Sequence, residues 1–180
     1  MQFHMLLACL ASILGCAKAQ LDIPNFLNIT ALTGRNKVTV LECWQLTAEL
    51  APATIPGRIG SLALPIGNVS NAVYGVLPPR FDGGLHNAPR KQYVWWIDGL
   101  VHFITPNITE GVPSEALIYG GRYGLIFADD TADTSTFGHI TQYPSADVTI
   151  GFTIPTEGGV TPDHTVLHDG PCLVGDIAGL

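Results

Sequence analysis

Positive charge is what this sequence lacks most. Of 180 residues only 8 are Lys or Arg, against 15 Asp or Glu, and charged residues of both signs make up 13%. Arg90-Lys91 is the one basic pair, so nucleic acid and anionic membrane surfaces are poor partners. Cysteine is nearly as scarce. There are four, with no Cys-x-x-Cys pair among them, which argues against a cysteine-built metal site. No Gly-x-Ser-x-Gly, phosphate loop or dinucleotide fingerprint occurs, which disfavours a serine hydrolase, a kinase and a nicotinamide enzyme. Beyond the first twenty residues no apolar run is long enough to span a bilayer, and the closing Asp-Ile-Ala-Gly-Leu lacks the greasy tail of a lipid-anchor signal.

What is present begins with an address. Residues 1–19 carry an apolar core from Met5 to Gly15 followed by Ala17-Lys18-Ala19, the small-x-small pattern read by signal peptidase. Cleavage after Ala19 predicts a secreted chain starting at Gln20. It removes Lys18 and no acid, which takes the net charge from −7 to −8. It also removes Cys9 and Cys16, so Cys43 and Cys172 are left to form one disulfide in an oxidising compartment. Sequons at Asn28, Asn68 and Asn107 agree with export and mark glycosylation acceptors.

The mature chain, 20–180, predicts one all-β domain with its core at about 37–155. Nineteen glycines and thirteen prolines cut it into short runs rich in Val, Ile, Tyr, Trp and Thr. Strands are expected at Lys37–Leu46, Gly60–Leu64, Ala72–Leu77, Gln92–Ile97, Leu100–Thr105, Ala116–Tyr119, Tyr123–Phe127 and Asp147–Ile154. Gln20–Asn36 reads as an arm packed outside, with a faint helical hint at Ile29–Gly34. Pro155–Leu180 reads as a return segment pinned by Cys172. Asp98-Gly99 is a strong short hairpin signal, because type I′ turns need positive φ at both central residues. It predicts Gln92–Ile97 and Leu100–Thr105 as adjacent antiparallel strands.

The stretch from Gly83 to Asn107, GGLHNAPRKQYVWWIDGLVHFITPN, resembles the first motif of the cupin superfamily. That motif runs His-x-His, three or four residues, Glu, six residues, Gly. His86 matches the first position and Gly99 the last, while Ala88 and Gln92 stand where the second histidine and the glutamate would be. The second motif finds a likeness in Gly120-Gly121, an apolar strand, an acidic loop and Gly138-His139. The resemblance runs from about Glu42 to Pro155. It implies a single jelly-roll β-barrel whose mouth gathers His86, Gln92 and His139.

A full site of that family holds a divalent metal on imidazoles and one carboxylate. Here the resemblance implies a tentative metal set of His86, Gln92 and His139, weakly held because no ligand supplies negative charge. Asp129, Asp130 and Asp133 precede His139 and can supply it only if they turn inward; a solvated acidic loop is the plainer reading. Without metal, His86 and His139 can serve as acid and base near neutral pH, or each can be a structural histidine bonded to backbone.

Other candidates are weaker. His164 and His168 have helical i, i+4 spacing but lie between loop signals, and His102 alternates within a strand. Trp44, Tyr93, Trp95, Trp96 and Phe103 are core residues by type, of which one or two lining the mouth suit an aromatic or isoprenoid ligand. Three functions follow: a secreted small-molecule enzyme (isomerase, cyclase, dehydratase or metal-dependent oxidoreductase, in a biosynthetic setting), a non-catalytic barrel for a small ligand or sugar, and a secreted interaction or effector protein. The expected partner is a small molecule. A homodimer is compatible with all three.

Overall fold

The computed structural model describes residues 24–106 and 109–177. The predicted signal segment, the start at Gln20 and the Asn107 sequon lie outside the described residues. Among the described residues thirteen strands carry the fold: β1 (Phe26–Arg35), β2 (Val38–Glu49), β3 (Ala51–Pro52), β4 (Leu62–Ala63), β5 (Val73–Leu77), β6 (Phe81–His86), β7 (Gln92–Asp98), β8 (Leu100–Ile104), β9 (Glu115–Tyr119), β10 (Leu125–Ala128), β11 (His139–Tyr143), β12 (Thr149–Pro155) and β13 (His164–Asp169). One short helix, α1 (Val174–Ile177), follows. The protein is all-β, as its composition of short β-branched and aromatic runs requires.

The ladders divide into a seven-stranded sheet ordered β13-β2-β1-β10-β7-β12-β5, a four-stranded sheet ordered β6-β11-β8-β9, and the small β3-β4 pair. The two larger sheets pack face to face. Leu32, Leu41, Val94, Trp96 and Ile126 of the first meet Val101, Phe103, Ala116, Ile118 and Tyr143 of the second in one buried cluster. Alternation along each strand sends every second residue the other way. Ile29, Ala31, Trp44, Leu46, Tyr93 and Phe127 therefore form a second cluster on the outer face of the large sheet, where Leu64 and Ile66 of the excursion between β2 and β5 help to cover it. Gln92–Asp98 is thus central and packed on both sides, as its doubly apolar sequence predicts.

Two expectations are corrected. Within the predicted outer arm Gln20–Asn36, Phe26–Arg35 is a strand of the large sheet, and Ile29–Gly34 is not helical. β1 lies in the middle of the large sheet, antiparallel to β2 and parallel to β10. Burying Ile29, Ala31 and Leu32 decides this, since each is 2% exposed or less. The second correction concerns Asp98-Gly99, which joins two sheets and does not close a hairpin. β7 pairs with β10 and β12, while β8 pairs with β11 and β9. Only Gly99 has positive φ, 92°, and Asp98 instead accepts the Gly99 N–H at 2.8 Å. With both edges of β7 already paired, the chain turns the corner and lays Val101 and Phe103 over Val94 and Trp96.

The return segment behaves as expected. β13 pairs with β2, and Cys43 and Cys172 form a disulfide with Cα atoms 4.5 Å apart across 129 positions. Chain-entropy reasoning assigns such a closure about 4–5 kcal/mol as an upper figure.

Candidate functional site

The site is built from two facing rows of side chains. Along β7, Gln92, Val94 and Trp96 point between the sheets. Along β11, His139, Thr141 and Tyr143 do the same. Together with His86, Ala88, Pro89, Leu32, Phe103, Ile126, Ala128 and Thr153 they line a cavity of about 290 Å³, at the small end of the range for ligand sites. The sequence-predicted trio of His86, Gln92 and His139 therefore lines one cavity, the histidines on one wall and Gln92 on the facing one, although 53 positions separate the histidines. Ala88 and Pro89 also line a wider, more polar cavity of about 680 Å³ with Asn87, Arg90 and Lys91, which forms an outer rim beside the inner cavity.

Register brings the histidines together. β11 runs antiparallel to β6 with His139 opposite His86, and the ring centroids are 4.7 Å apart. Gly138, at φ 73°, lets the strands approach, because a Cβ there would collide with the His86 carbonyl. His139 is 4% exposed and fixed by a fully buried carboxylate: its Nδ1 lies 2.6 Å from Asp130 Oδ2. Asp130 in turn lies 3.0 Å from the Thr39 hydroxyl, which is 2.7 Å from Ser135 Oγ. Asn87, next to His86, donates to the carbonyls of Asp130 and Ser135 and ties the acidic loop to this edge.

These bonds set the chemistry of both rings. A carboxylate accepts, so the His139 Nδ1 carries hydrogen and its Nε2 is the free basic atom. His86 is exposed, and its Nδ1 lies 3.0 Å from the Gly84 carbonyl, which also only accepts. Its Nε2 is likewise free. Of the three acids in the loop, Asp130 is the one that turns fully inward. Asp129, also buried, pairs with Lys91 at 3.0 Å and accepts from Thr161, and Asp133 is exposed on the rim. Asp130 was within reach of the sequence: Ile126, Ala128 and Asp130 continue the alternation of β10 onto one face.

The donor set fits a divalent ion that prefers nitrogen. Two imidazoles on one ion, at about 2.0–2.1 Å, stand with centroids roughly 5 Å apart, close to the separation here. The Asp130–His139 contact is the carboxylate–imidazole arrangement that fixes a ligand ring's tautomer and orientation. Gln92 would add a neutral amide oxygen, and no carboxylate lines the cavity.

The remaining candidates go elsewhere. His164 and His168 lie on β13, and the irregular register between Val166 and His168 sends them to different neighbours. His164 stacks on Trp44 with centroids 3.6 Å apart. His168 lies 3.0 Å from Asp176 Oδ2 and 2.9 Å from its neighbour's carbonyl, and these contacts with Asp169 and Asp176 raise its pKa. Among the described residues Cys43, His168 and Asp176 bring ligand-type atoms within 4.8 Å of one another. The Cys43 sulfur is bonded to Cys172, however, and a disulfide sulfur is not a thiolate ligand. His102 faces Glu115 at 3.0 Å on the four-stranded sheet. Trp44 and Tyr93 are core, Trp95 is partly exposed, and Trp96 and Phe103 line the cavity.

Asn68 is exposed, whereas the Asn28 amide is engaged, donating to the Asp176 carbonyl at 2.7 Å. No described helix is long and apolar enough to cross a membrane, which with the disulfide is compatible with a secreted protein. No protein-family model matches the chain, and no curated protein matches its sequence.

Proposed function

We propose that the protein is a secreted, cupin-like small-molecule enzyme that moves a proton within an apolar substrate, as an isomerase, cyclase or dehydratase does. The observation that carries this reading is the buried Asp130–His139 pair facing His86 across one wall of an apolar cavity. Asp130 holds the His139 ring in one tautomer and orientation, so Nε2 can take a proton from substrate carbon. His86, nearer the rim, returns a proton at the second position, and the exchange needs no oxidant. A low-dielectric cavity strengthens both interactions.

A second reading rests on the imidazole separation and on the Asp130 carboxylate behind the His139 ring. In it His86, His139 and Gln92 would hold a divalent ion, which would supply Lewis-acid polarisation of a substrate oxygen. Metal analysis of the secreted protein separates the two. Incubation with a panel of apolar carbon acids in D₂O, followed by NMR, tests the chemistry. Deuterium uptake that is lost in His139→Ala supports proton transfer. Uptake unchanged in that variant, or absent with every compound while a small molecule stays bound intact, returns the cavity to a non-catalytic binder. A protein with neither metal, ligand nor turnover is better read as an interaction scaffold.

A further inference from the structure

An endoprotease that cuts after a basic residue needs that residue in a segment able to leave the fold and lie extended in the enzyme's cleft. Eight Lys or Arg less Lys18 leaves seven beyond residue 19, and the folded sheets hold six of them. Arg35 ends β1 and pairs with Glu42 and with Asp169. The Lys37 carbonyl accepts the Thr136 N–H, and the Arg80 N–H donates to the Ser145 carbonyl where β6 begins. The Lys91 carbonyl, one residue after Arg90, accepts the Thr156 N–H at 3.1 Å. Arg122 sits in a turn fastened to β7, where Gly121 N–H donates to the Trp96 carbonyl and Trp96 N–H to the Gly124 carbonyl, both at 2.9 Å.

Arg58 stands apart. It lies in the excursion between β2 and β5, where every residue from Thr54 to Leu62 is exposed. Ile59, directly after it, is 79% exposed. Among the described residues the hydrogen bonds of Ala53–Ser61 all close within the loop. Ala53 N–H donates to the Ser61 carbonyl, Arg58 N–H to the Ile55 carbonyl, and the Ser61 N–H and hydroxyl to the Arg58 carbonyl. The base of the loop is the two-residue β3-β4 pair, which joins neither larger sheet. Gly57 and Gly60, at φ 85° and 91°, have nothing packed where a Cβ would stand. Opening this loop therefore breaks only its own few bonds, which puts it at the low end of local stability. Among the described residues Arg58 has no ion pair, so its guanidinium is free for an acidic pocket.

We infer that Arg58–Ile59 is a site of limited cleavage by an arginine-reading endoprotease, and that the product is a folded two-chain protein. Water adds across the peptide bond, leaving a carboxylate on Arg58 and an ammonium on Ile59, and no other reactant is needed. Cys43 lies before the cut and Cys172 after it, so the disulfide becomes the covalent link between the pieces. Sheet pairing holds them as well, because β1 and β2 of the first piece pair with β10 and β13 of the second. The first piece supplies Leu32 to the inner cavity and the Thr39 hydroxyl to Asp130, whereas His86, Gln92 and His139 belong to the second. The cavity is thus built from both chains, and the cut leaves it whole.

Cleavage changes what the disulfide does. In the intact chain it closes a loop. In the cut chain its reduction turns one molecule into a complex of two, whose stability depends on concentration. The test is limited digestion of the whole secreted protein with trypsin under native, non-reducing conditions. The first cut is expected to give a new N-terminus of Ile-Gly-Ser-Leu, with pieces that run together on a non-reducing gel and apart on a reducing one. Arg58→Gln is expected to slow the first cut about tenfold or more, because the remaining sites open only when sheet bonds break. The thermal midpoint of the cut protein should be independent of protein concentration while the disulfide is intact, and should rise with concentration once it is reduced. Intact protein, reduced in the same way, should show no such dependence.

A first cut after any other basic residue overturns the proposal, as does a rate unchanged in Arg58→Gln. Breakdown to small peptides with no stable two-chain product overturns it as well, and so does loss of the β-sheet circular dichroism signal on the first cut.

Discussion

Two pairs of histidines in this molecule make opposite use of distance. His86 and His139 are 53 positions apart and face each other at 4.7 Å on one cavity wall. His164 and His168 are four apart and share nothing: one stacks on Trp44, the other binds Asp176 beside the disulfide. Sheet register, not sequence spacing, decides the matter, because only residues opposite one another on paired strands are forced together. The pairs also differ in what holds them. His139 leans on a carboxylate with no exposure at all, whereas the His168 and Asp176 side chains are 35% and 25% exposed, where an ion pair contributes little.

The contrast can be tested from its largest expected effect downward. Replacing Cys43 and Cys172 together by alanine should cost up to about 4–5 kcal/mol, read as the loss in denaturant unfolding. The inner histidine pair should keep its chemistry in whatever fraction stays folded. Next, Asp130→Ala or His139→Ala leaves its partner buried and unmatched, for an expected loss of about 3 kcal/mol. Asp130→Asn should retain more stability and lower the rate, as expected of a residue that positions the base. His86→Ala should change stability by less than about 0.5 kcal/mol, because the ring is exposed, yet abolish turnover or bound metal. If His86→Ala destabilises strongly and leaves ligand handling intact, the two pairs are alike after all, and both are structural.

The smallest effect is a pH dependence of the tail. The His168 pKa is raised by its contacts with the Asp169 carbonyl and Asp176, and that of Asp176 is lowered by His168 and the Leu173 N–H. The histidine contribution is complete below its unfolded value of about 6.5 and fades as pH rises through the higher folded value. The aspartate contribution is complete above about 3.9 and fades as pH falls through the lower folded value. Hydrogen-exchange protection in α1, taken relative to the intrinsic rate at each pH, should be greatest between these limits and lower at pH 8. His168→Gln should flatten that profile, and an unchanged profile would remove the pair from the account.

Much of the fold was legible because short β-branched runs between glycines and prolines leave few alternatives. β2, β5, β7, β8, β9, β10 and β12 lie near their expected spans. β6 escaped because Phe-Asp-Gly-Gly-Leu-His has the composition of a turn, and β13 because Pro162 and Asp169-Gly170 bracket it. β1 escaped because a central strand is recognised by its partners, and one of those, β10, lies far along the chain. The Asp98-Gly99 signal fixed a turn but not its destination, which the packing of Val101 and Phe103 decided. In the site, motif likeness brought out His86, Gln92 and His139. Asp130 and Thr141 required the alternation of β10 and β11 to be carried across to the facing wall.

β1 carries a consequence for how the chain is made. It can pair with β2 as soon as both emerge, but its other edge waits for β10, whose Ile126 stands opposite Thr30 some 96 positions later. At about 5–20 residues per second that edge is open for roughly 5–20 s of synthesis. In that interval a strand destined for the centre of a sheet presents unpaired N–H and C=O groups and the apolar side chains of Ile29 and Leu32. An open edge of this kind is a template for other chains. The nascent protein is therefore most vulnerable to aggregation before residue 126 is made, and shielding by a chaperone matters most over that span.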